Sequence, residues 1–375
     1  MESVIIMVGW RVGDTVYLNK WQAMMVYANN PNSFGFYFYD DIWDTLDWTL
    51  EPDQDLKTLE IEHCKFLRNK YNLIVLFYSG GVDSHTVLQR FIDAKVHIDY
   101  IVCFSYTNSR SHISSLEPGT ALNYLKQNQH LFPNTKILST NESLDEREKI
   151  EDLNTIFNFD GDVTKLNSLL RFHPVGNGPK LRREYPEIYK QIEDNNGCMV
   201  TGSNKPMVYK NDQGFWYTPI DSHDDSMDAS DHMEYFWTGS NPILHLKQCH
   251  MVKHWMKANN VNTANDVYKS MDHARFVSIN KSFGRELPID PLFSIKNCHG
   301  GMTNAEFFNQ EYGMIGQNNV YADLMHSKVY DDRLLNLQKT LIGYHQDPGF
   351  KQFLEIKERS IKVTGWLGTS RFLGK

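Results

Sequence analysis

Between Leu73 and Tyr78 the chain is a short continuous apolar run, Ser84 to Phe91 follows with apolar positions at helical spacing, and Ile98 to Phe104 is a second, largely apolar run. That order predicts a βαβ unit whose strands are buried on both faces, as a parallel sheet requires. A helix around Thr120 to Gln129, a strand at Lys136 to Ser139, a helix at Pro186 to Asp194 and a strand at Cys198 to Thr201 continue the alternation. The expected fold class is therefore α/β, with a doubly wound parallel sheet. Beyond about residue 240 the stretches Pro242 to Lys257, Ala264 to Met271, Ala305 to Tyr312, Val320 to Tyr344 and Phe350 to Ile361 carry a 3.6-residue apolar period without strands between them. They predict a mostly helical C-terminal region. The first 65 residues are rich in Trp, Tyr and Phe, and the acidic stretch Asp44 to Asp55 leads into a helix at Leu56 to Lys70. The pattern divides the chain into an N-terminal lead-in over 1–65, an α/β domain over 66–240 and a helical region over 241–375.

Composition narrows the function classes. A length of 375 residues fits two to three domains, and 41% apolar with 22% charged residues supplies a core and excludes a disordered chain. With 38 basic against 46 acidic side chains the net charge is -8, so bulk coating of nucleic acid or of an anionic membrane is excluded while a local basic site is not. No apolar stretch approaches the 18 or so residues of a membrane span. Met1-Glu2-Ser3 lacks a basic leader and Arg11 interrupts the next apolar run, so a cytoplasmic location is expected. The five cysteines, at 64, 103, 198, 249 and 298, are odd in number and form no CxxC pair, and they read as reduced thiols.

The chemistry gathers where the first predicted strand ends. Leu73 to Tyr78 runs into Ser79-Gly80-Gly81-Val82-Asp83-Ser84, a Gly-rich turn that opens a helix. Two glycines let the backbone turn tightly and approach a ligand, and the free N–H groups of a helix start face an anion with the positive end of the macrodipole. Ser79 and Ser84 add hydroxyls, so Ser79, Gly80, Gly81, Val82 and Ser84 are the expected phosphate cradle. Asp83 is the odd member, because a carboxylate beside phosphates is repulsive unless a divalent cation lies between them. A polyphosphate with Mg2+ held by Asp83 is implied. No Lys precedes Ser84, so the loop is not that of the P-loop NTPases.

The sequence Ser79 to Ser84 resembles the SGGxDS loop of the ATP-pyrophosphatase (PP-loop) superfamily, which includes the synthetase domain of asparagine synthetase, GMP synthetase, NAD synthetase and PAPS reductase. The resemblance covers about residues 70 to 210. It implies a Rossmann-like fold of the adenine nucleotide alpha hydrolase type, ATP as the nucleotide, and cleavage between the α and β phosphates to adenylate a substrate. Cys198-Met-Val-Thr201-Gly202-Ser203-Asn204-Lys205-Pro206 is similar to the second, TG-type loop of the same superfamily. Ligands of open parallel sheets gather at the carboxyl ends of strands near the switch point, so this loop is expected to face Ser79 to Ser84. Thr201 and Gly202 would then approach the nucleotide, and Lys205 would act with Asp83 in catalysis by neutralising the leaving pyrophosphate. The alternative is a polar turn with a solvated lysine. Tyr78 and Phe104-Ser105-Tyr106 sit where aromatics bracket an adenine ring or simply fill the core.

Departures from the superfamily's subgroups shape the function expected. Position 2 is Glu2 where glutamine-dependent members resembling asparagine synthetase carry a catalytic Cys, and few residues precede the loop, so nitrogen is expected from ammonia, an amine or a separate partner. Without a cysteine pair, sulfur transfer to tRNA and the zinc-bearing deazaguanine synthases are disfavoured. The leading expectation is an AMP-forming ligase or amide synthetase acting on a small-molecule or nucleobase substrate. The alternatives are a sulfonucleotide reductase using Cys298, in Asn297-Cys298-His299-Gly300-Gly301, and a nucleotide-binding module without turnover.

Three further clusters carry two readings each. Arg171, His173, Lys180, Arg182 and Arg183 clamp an anion or form a solvated loop. The run from Asp221 to His232 has oxygen ligands for a hard cation, or is an acidic solvated loop. His245, Cys249, His250 and His254 lie on a predicted helix with two histidines at i, i+4, as in zinc helices, but flanking Leu246, Met251, Val252 and Trp255 suit a packed helix.

Overall fold

The computed structural model describes residues 8–17, 23, 26, 34–103, 121–139, 177–202, 205–219, 232–239, 241–264, 273–282, 284–285 and 368–375. The apolar run after α2 (Leu56–Lys70) becomes β4 (Leu73–Phe77), buried at every position. It feeds α3 (Val82–Asp93) and then β5 (Tyr100–Cys103), and a helix over 121–127 (α4) leads to β6 (Lys136–Ser139). After α5 (Asn177–Glu184) and α6 (Pro186–Asp194) the chain adds β7 (Gly197–Thr201) and β10 (Met233–Tyr235). These strands form a five-stranded sheet in the order β10-β7-β4-β5-β6, parallel throughout.

Side chains alternate across the pleat, so each strand supplies two cores. Ile74, Leu76, Ile101, Cys103, Cys198 and Val200 pack with Leu67 of α2, Val87 and Phe91 of α3 and Leu125 of α4. Leu73, Val75, Phe77, Val102 and Met199 pack with Leu181 of α5 and Ile188 and Ile192 of α6. Helices on both faces explain why β4 has no polar position: both of its faces are removed from water. The fold is a doubly wound, Rossmann-like α/β sheet. Winding starts at β4, runs outward through β5 and β6, then returns to the other side of β4 through β7 and β10. The reversal lies between β4 and β7, whose residues pair from Leu73↔Gly197 to Phe77↔Thr201.

A third core lies outside this sheet. The antiparallel strands β1 (Val8–Val12), β2 (Thr15–Tyr17) and β3 (Phe34–Phe38) form one small sheet; β8 (Val208–Asn211), β9 (Gly214–Tyr217) and β11 (Arg371–Phe372) form another. Trp10, Phe36 and Phe38 from the first, Val208 and Tyr217 from the second, Trp43 of α1 (Asp40–Trp43) and Cys249, Val252 and Met256 of α7 (Pro242–Asn259) share one apolar cluster. The lead-in expected over 1–65 thus contains an antiparallel sheet. Strand β3 escaped the apolar pattern because aromatic residues fall on consecutive positions, as in Phe36-Tyr37-Phe38, where a two-residue alternation would be needed. Ala305 to Tyr312, Val320 to Tyr344, Phe350 to Ile361 and most of Ala264 to Met271 lie outside the described residues. The described part of the C-terminal region includes α7 and α8 (His273–Ser282).

One buried ion pair ties the first apolar face together. Arg90 of α3 donates Nε to Glu60 Oε2 of α2 at 2.6 Å, with 3% and 0% of the two side chains exposed. Trp237, just past β10, donates Nε1 to the other oxygen of Glu60 at 2.7 Å. Burial pushes the Glu60 carboxyl above its ordinary range, and Arg90 and the indole N–H pull against it.

Candidate nucleotide site at the switch point

The carboxyl ends of β4 and β7 open side by side at the winding reversal, where open α/β sheets form a crevice. From β4 the chain enters Ser79 to Gly81 and then the first turn of α3, with Gly81 as its N-cap. No side chain caps that end, and the first N–H groups of a helix have no partner within it. Gly80 has φ 79, a left-handed backbone that a residue with a Cβ adopts only with strain. The turn is closed by hydroxyls. The Ser84 hydroxyl donates to Gly81 O and accepts from Ser79 N, both at 3.2 Å, and lies 3.1 Å from Ser79 Oγ. Gly81 N donates to Ser79 Oγ at 3.3 Å. Ser84 is buried under the turn while Ser79 is exposed and Gly81, Val82 and Asp83 are half-buried, so the cradle opens toward solvent.

The loop after β7 packs directly on this turn. A Cβ at Gly202 would lie 2.9 Å from the carbonyl carbon and oxygen of Asp83 and from Val87 Cγ2, so only glycine permits the approach. Gly202→Val should therefore lower unfolding free energy by about 1–3 kcal/mol, the usual cost of overpacking against backbone. Chemical denaturation reads this, and unchanged stability would show that the loop is not seated on α3.

Lys205, three residues beyond Gly202, pairs through Nζ with Asp83 Oδ2. On the other carboxylate oxygen, Arg285 Nε donates to Asp83 Oδ1 at 2.8 Å. Arg285 has no exposed side-chain surface, and its guanidinium carbon lies 3.2 Å from the centre of the Trp237 ring. With its amide oxygen turned toward them, Gln248 of α7 accepts from Arg285 Nη1 at 2.6 Å and lies 3.1 Å from Trp237 Nε1, sharing with Glu60 the one hydrogen of that indole. Burial by itself raises the Asp83 carboxyl, but Lys205 and Arg285 outweigh it and hold it below the usual carboxylate range. The stability this supplies is complete above the unfolded carboxylate pKa and is lost as pH falls through the lowered folded value. Two cations, Lys205 and Arg285, meet one carboxylate at the turn, and the buried Glu60 carboxylate also lies within the field of Arg285. Cations beside an uncapped helix start favour an anionic ligand there.

Ser79, Gly80, Gly81, Val82, Asp83, Ser84, Thr201, Gly202 and Lys205 thus come together at the carboxyl ends of β4 and β7. Phe104, with Ser105 and Tyr106, lies outside the described residues, as do Arg171, His173, Cys298 and the run from 221 to 231. Tyr78 belongs to the core: it is 1% exposed and its hydroxyl lies 3.0 Å from His85 Nδ1, so it does not present a face to an adenine. Arg182 is exposed and stands over the Tyr189 ring. Arg285, Trp237 and Gln248 were not singled out by sequence. Nothing around Arg285 in Ser282-Phe283-Gly284-Arg285 distinguishes it from a surface arginine, since its role comes from a partner 202 positions away.

The histidines of α7 separate. His245 is fully buried between Trp43 and Tyr217, and burial drops its pKa to about 3. His250 Nε2 lies 3.0 Å from Trp48 O, and His254 Nε2 lies 2.7 Å from Glu51 Oε2. Glu51, His250 and His254 are near enough to share an ion, but Lys247 Nζ already holds the other Glu51 oxygen at 2.8 Å. That set is a satisfied polar network under α7.

No protein-family model matches the sequence, and no curated protein matches it. Among solved structures the chain is similar to an NMN synthetase from Francisella tularensis at 15% identity and a TM-score of 0.26, covering 40% of this chain and 56% of that one. It is also similar to an NH3-dependent NAD synthetase from Campylobacter jejuni subsp. jejuni, solved with a nitrate ion, at 14% identity and a TM-score of 0.27, covering 61% of this chain and 94% of that one. The chain therefore spans little more than half the length of the first of these. Likenesses this distant carry no argument about activity. Among the described residues no helix is long and apolar enough to cross a membrane.

Proposed function

We propose that the chain is an ATP-dependent, AMP-forming ligase or amide synthetase whose nucleotide lies in the crevice between β4 and β7. The observation that carries this reading is the pairing of an uncapped, Gly-turned helix start with two cations, Lys205 and Arg285, at the winding reversal of a parallel sheet. Backbone N–H groups at the uncapped start of α3 hold the phosphates, and Ser79 and Ser84 fix the turn's shape. Thr201 and Gly202 form the opposite wall. Lys205 stands where charge grows as the α-β bond breaks, so its contribution is electrostatic and largest in the transition state.

The donor set fits Mg2+ on one condition. Asp83 is the carboxylate on the turn, and magnesium is commonly bound by one or two carboxylates together with substrate phosphates. Asp83 would hold it through Oδ2, the oxygen that Lys205 occupies here and would release to the phosphates. A bound Mg2+ would neutralise phosphate charge. In this reading 66–240 is the ATP-binding domain and 241–375 contributes to the acceptor or partner side, with Arg285 as its reach into the crevice. The acceptor is a small molecule or nucleobase, and nitrogen comes from ammonia, an amine or a separate donor protein.

α-Labelled and γ-labelled ATP incubated with the protein and a metabolite extract should yield AMP and pyrophosphate. ADP with orthophosphate as the main products would remove the assignment, because they report attack at the γ-phosphate.

A further inference from the structure

Lys205 and Arg285 hold one carboxylate by different means. Arg285 is wholly buried, stacked on Trp237 and bonded through Nε to Asp83 Oδ1, so it has no room to leave. Lys205 reaches Oδ2 from the loop after β7 with 22% of its side chain exposed, on a flexible four-carbon stem. Asp83 itself is 20% exposed. One oxygen is fixed, and the other is held by a group free to move.

We propose that the Lys205–Asp83 ion pair is a latch across the phosphate cradle that exchanges when a magnesium-bearing polyphosphate enters. Lys205 Nζ transfers from Asp83 Oδ2 to a phosphate oxygen, Oδ2 turns to the cation that accompanies the nucleotide, and Arg285 keeps Oδ1 and with it the orientation of the carboxylate. Arg285 is a positioning residue in this exchange. The inference rests on the ATP reading of the same loop and adds to it the origin of metal dependence. Metal-free ATP must break the latch and leaves Asp83 facing phosphates, a like-charge contact that opposes binding. The cation removes that opposition. The requirement for metal is thus built into the protein's own carboxylate, and removing the carboxylate should remove the requirement.

Calorimetric titration of the full chain with ATP in EDTA and with MgATP tests this on wild type, Asp83→Asn and Lys205→Met. Wild type should bind MgATP at least about tenfold tighter than ATP alone. Asp83→Asn should bind metal-free ATP at least about tenfold tighter than wild type does, and its MgATP and ATP affinities should lie within about threefold of each other. Lys205→Met leaves Oδ2 open without exchange, so its preference for MgATP over ATP should exceed that of wild type several-fold. Metal-free ATP binding no tighter in Asp83→Asn than in wild type overturns the latch. If circular dichroism shows that Asp83→Asn does not fold, Lys205→Met decides alone, and a metal preference equal to or below that of wild type overturns the proposal. Failure of wild type to bind either form would instead remove the ATP reading beneath it.

Discussion

Arg90→Met should lower unfolding free energy by about 3–5 kcal/mol, as expected when one partner of a buried ion pair is removed and the other charge stays behind. Glu60 has no exposed side-chain surface, so the stranded carboxylate must ionise without its counter-charge or take up a proton. Arg90 also donates to Asp93 at 3.2 Å and to Gly284 O at 3.5 Å, which links the loss to the segment that carries Arg285. Glu60→Gln on top of Arg90→Met should recover part of the loss, because the amide still accepts from Trp237 and carries no charge. Denaturant unfolding of the single and double variants measures this. A single variant within 1 kcal/mol or so of wild type would show that the pair contributes far less than its burial suggests.

Lys205→Met should slow AMP formation by about 100-fold, the scale on which loss of one preorganised electrostatic donor is felt. The effect belongs mainly in kcat. In the free protein the variant also loses the Lys205–Asp83 pair, so the loss of a lysine contact to MgATP is offset and KM changes little. Lys205→Arg should restore part of the rate by keeping the charge in altered geometry. A Lys205→Met protein with near wild-type kcat would make this lysine a structural partner of Asp83 alone.

The parallel sheet was legible because β4, β5 and β7 are buried on both faces and so read as unbroken apolar runs. Three-residue β10 was not, since Met233-Glu234-Tyr235 is too short to show a period. The turn from Ser79 to Ser84 was legible because its glycines and hydroxyls act on their own near neighbours. Lys205 was placed through the strand before it. Arg285 had no such local signal: a buried guanidinium differs from a solvated one only in what tertiary folding brings against it, here Trp237, Gln248 and Asp83. Sequence anticipated a divalent cation facing Asp83 and gave no sign of Arg285; among the described residues the Asp83 carboxylate meets Lys205 and Arg285.

Asp83 meets Arg285 across 202 positions of chain, and this long separation sets an order for biosynthesis. A ribosome adding about 5–20 residues per second delivers the guanidinium some ten seconds or more after the carboxylate. During that interval β4, α3 and β5 can pair, since their contacts are local, while the carboxylate has at most Lys205 as its counter-charge. Nascent chains stopped short of Arg285 therefore carry the Gly-rich turn without its buried anchor, and in a pulse-labelled protease time course they should be cleaved near Asp83 faster than chains extended past it.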